Sequence, residues 1–567
     1  MPSNSSSALR FGLMCRGRRL PAWQAATLQQ LVAHQAVTLE LLIRPPASVQ
    51  GPGEGATSRV KRLARSENTL WDTFNNGYVA RRAKSLQAVD CSDHMDGIPL
   101  LEATPLRKGK FSEYFTDDDL EQIRSYDLDF ILRFAYGIIR GDILDAARHG
   151  VWSFHHGDEQ RFRGSPPAFW EIATDSPVSG VLLQRLTDRL DGGIVLRKGW
   201  VRTTHHSYVK NTDAVHFAGV DFPAQVCRDI LAGNDSYLDE APSSTEAPVF
   251  LKPTDREVVR FAAQAGQAFV GRQISNLAWS DQWNIGLVRN PIADFLNPDF
   301  IPTVEWFQDT RGPGYYLADP FPRLAGGAGE VLVEDYDYTN RIGTISELNF
   351  DDMTITPVDV GTSSHASYPF AFDHNGVNYV VAQVAGQQGV ELLTDSDGQL
   401  QPAGRIDIEG ELLDPTLFEH DGLWWIFFTR PGTQSLTELH IWWADDLFGT
   451  WQPHRQNPVK SDIRSARPGG TPFEHEGALY RPAQDCSLCY GGAVSISRID
   501  ELTPNTFTET VVRTVKADPS WPYPHGVHTL SAAGDVTYLD AKRRVFNRHE
   551  TLAELTARVR KLRPGRA

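Results

Sequence analysis

A unit of about fifty residues recurs through the second half of this chain, and it limits the possible folds more than any other feature. Each copy has a polar head, an apolar strand, a glycine turn and a second, aromatic-rich strand. The copies are Asp319-Pro-Phe-Pro through Glu330-Val-Leu-Val-Glu334, Tyr368-Pro-Phe-Ala-Phe-Asp-His-Asn-Gly-Val-Asn-Tyr379, Asp414-Pro-Thr-Leu-Phe-Glu-His-Asp-Gly-Leu-Trp-Trp425, Gly470-Thr-Pro-Phe-Glu-His-Glu-Gly-Ala-Leu-Tyr480 and His528-Thr-Leu-Ser-Ala-Ala-Gly-Asp-Val-Thr-Tyr538. Pro320, Pro369, Pro415 and Pro472 are 49, 46 and 57 residues apart. Repeats near 40–50 residues with several strands each point to a propeller. Five units therefore predict an all-β five-bladed β-propeller over residues 276–546. Innermost strands face a central channel, so the polar heads should converge there. The candidates for binding substrate are Asp319, His365, Asp414, Arg481, Asp485 and His528, with Arg467, Gln484 and His525 beside them.

The first half is organised differently. Leu9–Met14, Leu39–Ile43, Leu128–Phe134 and Val151–Phe154 are short apolar runs, and Ala22–Leu31 and Ile143–Ala147 between them have helical spacing. That alternation predicts an α/β domain with a mostly parallel sheet over residues 8–232. Residues 45–60 form a soft loop within it. No GxGxxG or Walker A pattern follows any of these strands, which argues against dinucleotide or P-loop chemistry. Residues 233–252 are polar and Pro/Ser-rich, as a linker should be. Thr254-Asp-Arg-Glu257 is a capping-box pattern that predicts a connecting helix over 253–275.

Residues 128–196 carry the strongest chemical signal. Phe134-Ala-Tyr-Gly-Ile138 ends a strand, and Ser153-Phe-His155-His-Gly157, Arg163-Gly164-Ser-Pro-Pro167 and Leu190-Asp191-Gly192-Gly193-Ile194 follow in order. This series resembles the catalytic domain of the formyltransferases, including methionyl-tRNA, phosphoribosylglycinamide and sugar-amine formyltransferases. The resemblance implies a Rossmann-like α/β formyltransferase domain that moves a formyl group from 10-formyltetrahydrofolate to an amine. It further implies that His155 stabilises the tetrahedral oxyanion, and that Asp191 orients His155 and assists proton removal. Phe134, Ala135, Tyr136, Gly137, Ile138, Asp188 and Leu190 fall where the family holds the folate, and Arg163 and Gly164 match the loop beside the histidine. The family has Asn two residues before the histidine; this chain has Ser153, which is shorter and has one donor rather than two. Ser153 with a water, His156, or a change of chemistry are the three ways to account for it.

The second half is similar to glycoside-hydrolase-type propellers. It is closer to the amino-terminal region of plant glucosamine inositolphosphorylceramide transferases, through Ala318-Asp-Pro-Phe321, His365-Ala-Ser-Tyr-Pro369, Asp414-Pro-Thr416 and Leu479-Tyr-Arg-Pro-Ala-Gln-Asp485. Together the two resemblances imply an amino sugar or glycoconjugate as formyl acceptor. The alternatives are a carbohydrate-active or glycan-binding propeller with a degenerate formyltransferase domain, and a methionyl-tRNA formyltransferase.

Charge bears on that last alternative. Residues 1–235 hold 28 basic and 27 acidic side chains, a balance of +1, so the remainder carries −17 and accounts for the whole net charge of −16. Nucleic-acid affinity needs basic surface, so the acidic half argues against an RNA platform. The exception is the stretch 547–567, read as a basic terminal helix with Leu552, Leu555, Val559 and Leu562 on one face. The first residues show no leader pattern, no run is long enough to span a bilayer, and five cysteines in a long chain suit a reducing cytoplasm. Adjacent His155 and His156 face opposite ways on a strand and Cys486/Cys489 have no second pair, so no metal site is expected.

Overall fold

In the computed structural model, which describes residues 8–46, 67–109, 111–189, 192–327, 329–396 and 399–546, the chain divides into two units, Met1–Phe269 and Val270–Ala567. The sheet of the first unit contains β1 (Leu9–Met14), β2 (Val37–Arg44), β3 (Leu100–Glu102), β4 (Phe130–Arg133), β5 (Val151–His155), β6 (Val178–Arg185) and β7 (Ile194–Arg202). Their order is β7-β6-β5-β4-β1-β2-β3. Strands β5, β4, β1, β2 and β3 run parallel, while β6 and β7 add antiparallel edges. The central strands β1, β4 and β5 are buried on both faces, which is why they read as short apolar runs. Phe11, Phe130 and Trp152 stack across three neighbouring strands on one face, and Ile131 and Val151 pack on the other.

Some local expectations change in the structure. The helix expected at Ile143–Ala147 is a single 3₁₀ turn, Asp142–Asp145, because so short an apolar stretch cannot repay helix nucleation. Within 233–252, Val249–Phe250 pairs in parallel with Arg163–Gly164. Gly164 has φ +92° and a Cβ there would collide with the Phe250 carbonyl, so only glycine fits. The capping box forms: Glu257 Oε2 accepts from Thr254 N at 2.7 Å ahead of the helix Asp255–Ala278. The basic terminal helix, and most of the loop 45–60, lie outside the described residues.

The second unit is built of antiparallel sheets, five among the described residues. Four follow chain order, opening at Tyr315–Pro322, Ala366–His374, Leu413–His420 and Phe473–His475. The fifth joins the ends of the unit. Ser280–Val288, a strand absent from the repeat pattern, pairs residue for residue with Val536–Val545, from Ser280↔Val545 to Val288↔Thr537. Asn375-Gly376, Asp421-Gly422 and Glu476-Gly477 make the hairpin turns, each with two positive φ values.

The repeated Pro heads have one physical consequence. Proline has no N–H for the ladder, and the first strand bulges at three of the four Pro heads, those of Pro320, Pro369 and Pro415. Register breaks between Ala318/Phe321, Ser367/Phe370 and Leu413/Thr416, and Asp319, Tyr368 and Asp414 take φ values of 51°, 49° and 51°. The last copy breaks at Val527/Leu530 without a proline.

Buried charge also ties strands together. Arg481 donates through Nε to Glu509 Oε2 at 2.6 Å and through its terminal nitrogen to Glu509 Oε1 at 2.7 Å; Lys460 Nζ reaches Oε1 at 2.5 Å. Burial opposes the Glu509 charge, but Arg481 and Lys460 outweigh it and pull its carboxyl from 4.5 down to about 2. A depressed folded-state value stabilises above the unfolded value and is lost as pH falls through the folded one. Glu509→Gln should therefore cost about 3–5 kcal/mol at pH 7, measured by urea unfolding, and the gap from wild type should close between pH 4.5 and about 2.

Candidate functional site

In the first unit the site follows from strand register. Ser153 on β5 lies opposite Arg133 on β4 and Gln184 on β6. Arg133 donates to Ser153 Oγ through Nε (3.1 Å) and a terminal nitrogen (2.9 Å), and to the carbonyls of Tyr136 (3.2 Å) and Gly137 (2.7 Å) through the other. Burial lowers its pKa, and Glu113 opposes that. His155, two residues along β5 from Ser153, faces the same way. With Arg133, Gln184, Gly137, Ile138 and Thr187 it lines a cavity of about 150 Å³. A carbonyl can only accept, so the 3.0 Å contact from His155 Nε2 to Phe162 O places a proton on Nε2.

Of the residues expected to hold the folate, Gly137 and Ile138 line this cavity, and the other described ones make contacts elsewhere. Tyr136 has φ +67° and donates to Ala103 O at 3.1 Å; Gly137 N donates to Glu113 Oε2 at 2.6 Å. Phe134 packs edge-on against Trp23, and Ala135 N bonds Met14 O. Asp188 Oδ1 accepts from Gly141 N at 3.1 Å, and Arg163 donates to Ala247 O at 3.2 Å. Leu190 and Asp191 lie outside the described residues. His156 cannot stand in for the missing Asn. It is buried on the opposite face among Trp23, Phe154 and His216, and burial holds it well below its usual pKa.

Arg133, Gln184 and Glu113 were not read as site residues. An arginine closing an otherwise apolar strand was the available signal, because such strand ends point to the ligand crevice. A formyl-folate fits the donor chemistry here in part. Arg133 and Gln184 offer donors for a formyl oxygen and His155 Nδ1 an acceptor, whereas Gly137's amide and carbonyl are already held by Glu113 and Arg133.

In the second unit the heads converge as bonded pairs. Asp540 is fully buried, and its Oδ1 accepts from His528 N (3.0 Å) and Thr529 N (2.9 Å), its Oδ2 from Asp319 N (3.0 Å). His528 Nδ1 is 2.6 Å from Asp540 and Nε2 is 3.4 Å from Asp319. Donor atoms of these three residues lie within 4.8 Å of one another, a spacing already used by their mutual contacts. Asp414 takes Arg467 at 2.5 and 3.0 Å and Gln484 at 2.7 Å.

Beside them opens a cavity of about 490 Å³ whose lining includes Asp319, His365 and Arg467, as well as Glu334, Tyr316 and Trp283. Glu334, an acid closing the apolar run Val331-Leu-Val333, was missed as a site residue. Arg481 does not join this group, being buried against Glu509. Asp485 does not line the cavity and accepts from Ser487 N at 2.9 Å.

Comparison with known proteins divides at the same point. Residues 282–522 match the family described as glucosamine inositolphosphorylceramide transferase 1, N-terminal. The protein of that name from Oryza sativa subsp. japonica is 32% identical over 237 residues, 40% of this chain and 30% of that protein; the Arabidopsis thaliana protein is 28% identical over 244 residues, 41% and 31%. Methionyl-tRNA formyltransferase of Caulobacter sp. (strain K31) is 35% identical over 171 residues, 29% of this chain and 52% of that protein. The first half is formyltransferase-like, the second glucosamine inositolphosphorylceramide transferase-like. The chain thus spans about a third of the transferases and about half of the formyltransferase. Among solved structures, phosphoribosylglycinamide formyltransferase of Anaplasma phagocytophilum has 16% identity over 39% of this chain and 88% of its own, at a TM-score of 0.25. A GH43 β-1,3-galactosidase has 10% identity over 37% and 83%, at 0.28.

The His528 pair gives a pH test. Burial opposes the imidazolium, but Asp540 and Asp319 outweigh it and raise its pKa. A raised folded-state value stabilises fully below 6.5 and is lost as pH rises through it. In Asp540→Asn the His528 ring, followed by NMR, should titrate below 6.5 and the unit should lose most stability at acid pH.

Proposed function

We propose that this chain is a folate-dependent N-formyltransferase whose acceptor is the amine of an amino sugar or sugar conjugate. The second unit is read as a five-bladed β-propeller that recognises the sugar. Five antiparallel sheets, closed by pairing the first long strand with the last, support that architecture. The observation that carries the function is His155 on the rim of a donor-lined cavity in a formyltransferase-like unit.

When bound, 10-formyltetrahydrofolate supplies the activated formyl group. The chain's own residues then have two tasks. An amine attacks only when neutral, so a base must take its proton. His155 has Nε2 fixed on Phe162 O; its Nδ1, with no partner among the described residues, can accept that proton in the neutral ring or donate in the charged one. Asp191 is assigned the orienting role that the formyltransferase resemblance implies. Negative charge developing on the formyl oxygen meets Arg133 and Gln184, and oxyanion donors of this kind are worth about 10²–10³ in rate each.

A second reading, a carbohydrate-active or glycan-binding protein with a degenerate first unit, is favoured by one observation: Ser153 is spent on holding Arg133. Methionyl-tRNA as acceptor is disfavoured by the acidic second half. A cytoplasmic setting agrees with five free cysteines, and among the described residues no helix is long and apolar enough to cross a membrane.

The test is single-turnover release of tetrahydrofolate from 10-formyltetrahydrofolate with amino sugars, nucleotide amino sugars and aminoacyl-tRNA as acceptors. Release should depend on an amino sugar and fall at least about 10²-fold in His155→Ala and Asp191→Ala. Folate binding without turnover on any acceptor, or no folate binding, would favour the second reading, and assays for released reducing sugar would then divide hydrolase from binding protein.

A further inference from the structure

The cavity of the second unit holds three acids, and they are not equally balanced. Asp281 faces Lys542 Nζ at 2.8 Å and Asp319 faces His528 at 3.4 Å. Glu334 has no lysine or arginine against it among the described residues; its neighbours are the Tyr316 hydroxyl and His365 Nε2 at 3.7 Å. His365 cannot serve as the cation. Its Nδ1 accepts from Gly343 N at 2.8 Å, which an imidazolium nitrogen cannot do, and burial also lowers its pKa. The charge of Arg467 is spent on Asp414; Arg341, on an exposed turn, also lines the cavity but makes no ion pair with Glu334 among the described residues.

Glu334 is nonetheless more than nine-tenths buried, with its side chain only 8% exposed. Burial, and then the charges of Asp319, Asp414 and Asp540, push its carboxyl well above the ordinary range. A buried carboxyl without a cation partner costs stability unless something completes it. Beside it, Tyr316 and Tyr336 stack at 4.6 Å with rings 11° from parallel, and Trp283 lines the same cavity. Aromatic faces of this kind receive the apolar side of a sugar ring and also attract a cation.

We infer that this cavity takes an amino sugar in its ammonium form, with the charged amine against Glu334 and the ring on the tyrosine wall. The inference rests on the amino-sugar reading above and sharpens it: the second unit recognises the acceptor before formylation and not after. An N-formyl or N-acetyl amide carries no charge and would leave Glu334 without its partner. Glucose lacks the nitrogen altogether.

Calorimetric titration of the full chain, with no folate present, tests this using glucosamine, glucose, N-acetylglucosamine and N-formylglucosamine as probes. Glucosamine should bind at least about tenfold more tightly than the other three, as a charge-assisted hydrogen bond requires. Glu334→Gln should erase that preference. The wild-type ranking needs no variant, so it decides the point even if the substitution unfolds the unit. Equal or tighter binding of any neutral sugar, no binding of glucosamine, or a preference that survives Glu334→Gln in folded protein would overturn the inference. The titration involves no formyl donor, so its failure leaves tetrahydrofolate release standing, and failure of release leaves the binding result standing.

Discussion

One carboxylate holds the second unit closed. Asp540 accepts backbone N–H groups from Asp319, His528 and Thr529 and faces the His528 ring, all away from solvent. These amides exist as free donors only because the first strands bulge at their heads, and an unpaired buried N–H costs about 1–3 kcal/mol. Asp540 stands on the last strand, which pairs with Ser280–Val288, so the same residue joins closure of the sheet to support of the bulge at Asp319. A non-glycine residue at φ +51° costs about 1–3 kcal/mol and persists only where its surroundings over-determine it. Gln383 does the corresponding work for Asp414, taking its N–H at 3.0 Å.

Buried charge is handled in two ways within this unit. Arg481, Lys460 and Glu509 satisfy one another away from the cavity, an arrangement that locks strands together. At the centre, four buried acids, Asp319, Glu334, Asp414 and Asp540, meet two cationic partners, His528 and Arg467. Asp319 is accordingly raised to about 6, by burial first and then by Asp414 and Asp540, although His528 opposes the shift. Raised carboxyl pKa values beside a cavity make it a candidate ligand site.

The repeats were legible because proline and glycine impose conformations that sequence displays directly. Asp319-Pro, Tyr368-Pro and Asp414-Pro announce bulges, and Asn375-Gly, Asp421-Gly and Glu476-Gly announce turns. Ser280–Val288 was not legible, because its partner lies 249–265 residues away and periodicity is blind to that distance. Arg481 and Asp414 look alike as polar residues in repeat heads, yet one pairs with Glu509 inside a sheet and the other with Arg467 beside the cavity. Only the third dimension separates them. In the first unit the order of motifs was readable, but the partnership of Arg133 with Ser153 depends on β4–β5 register, which no spacing along the chain reveals.

That partnership changes what the serine means. A hydroxyl is too short to replace an amide, but it can anchor something longer. Of the five N–H groups of the Arg133 guanidinium, four are accounted for by Ser153, Tyr136 and Gly137, which fixes the group rigidly beside the cavity. A fixed positive charge stabilises a developing oxyanion more strongly than a neutral amide does, and it repels an ammonium. The two cavities thus have opposite electrostatic preferences. In the proposed reaction the acid-rich cavity of the second unit suits the amine while it is charged, and the arginine-lined cavity of the first admits it only once the proton has gone. On that proposal, recognition and reaction ask for different protonation states of one nitrogen, and the two cavities are the separate environments for each.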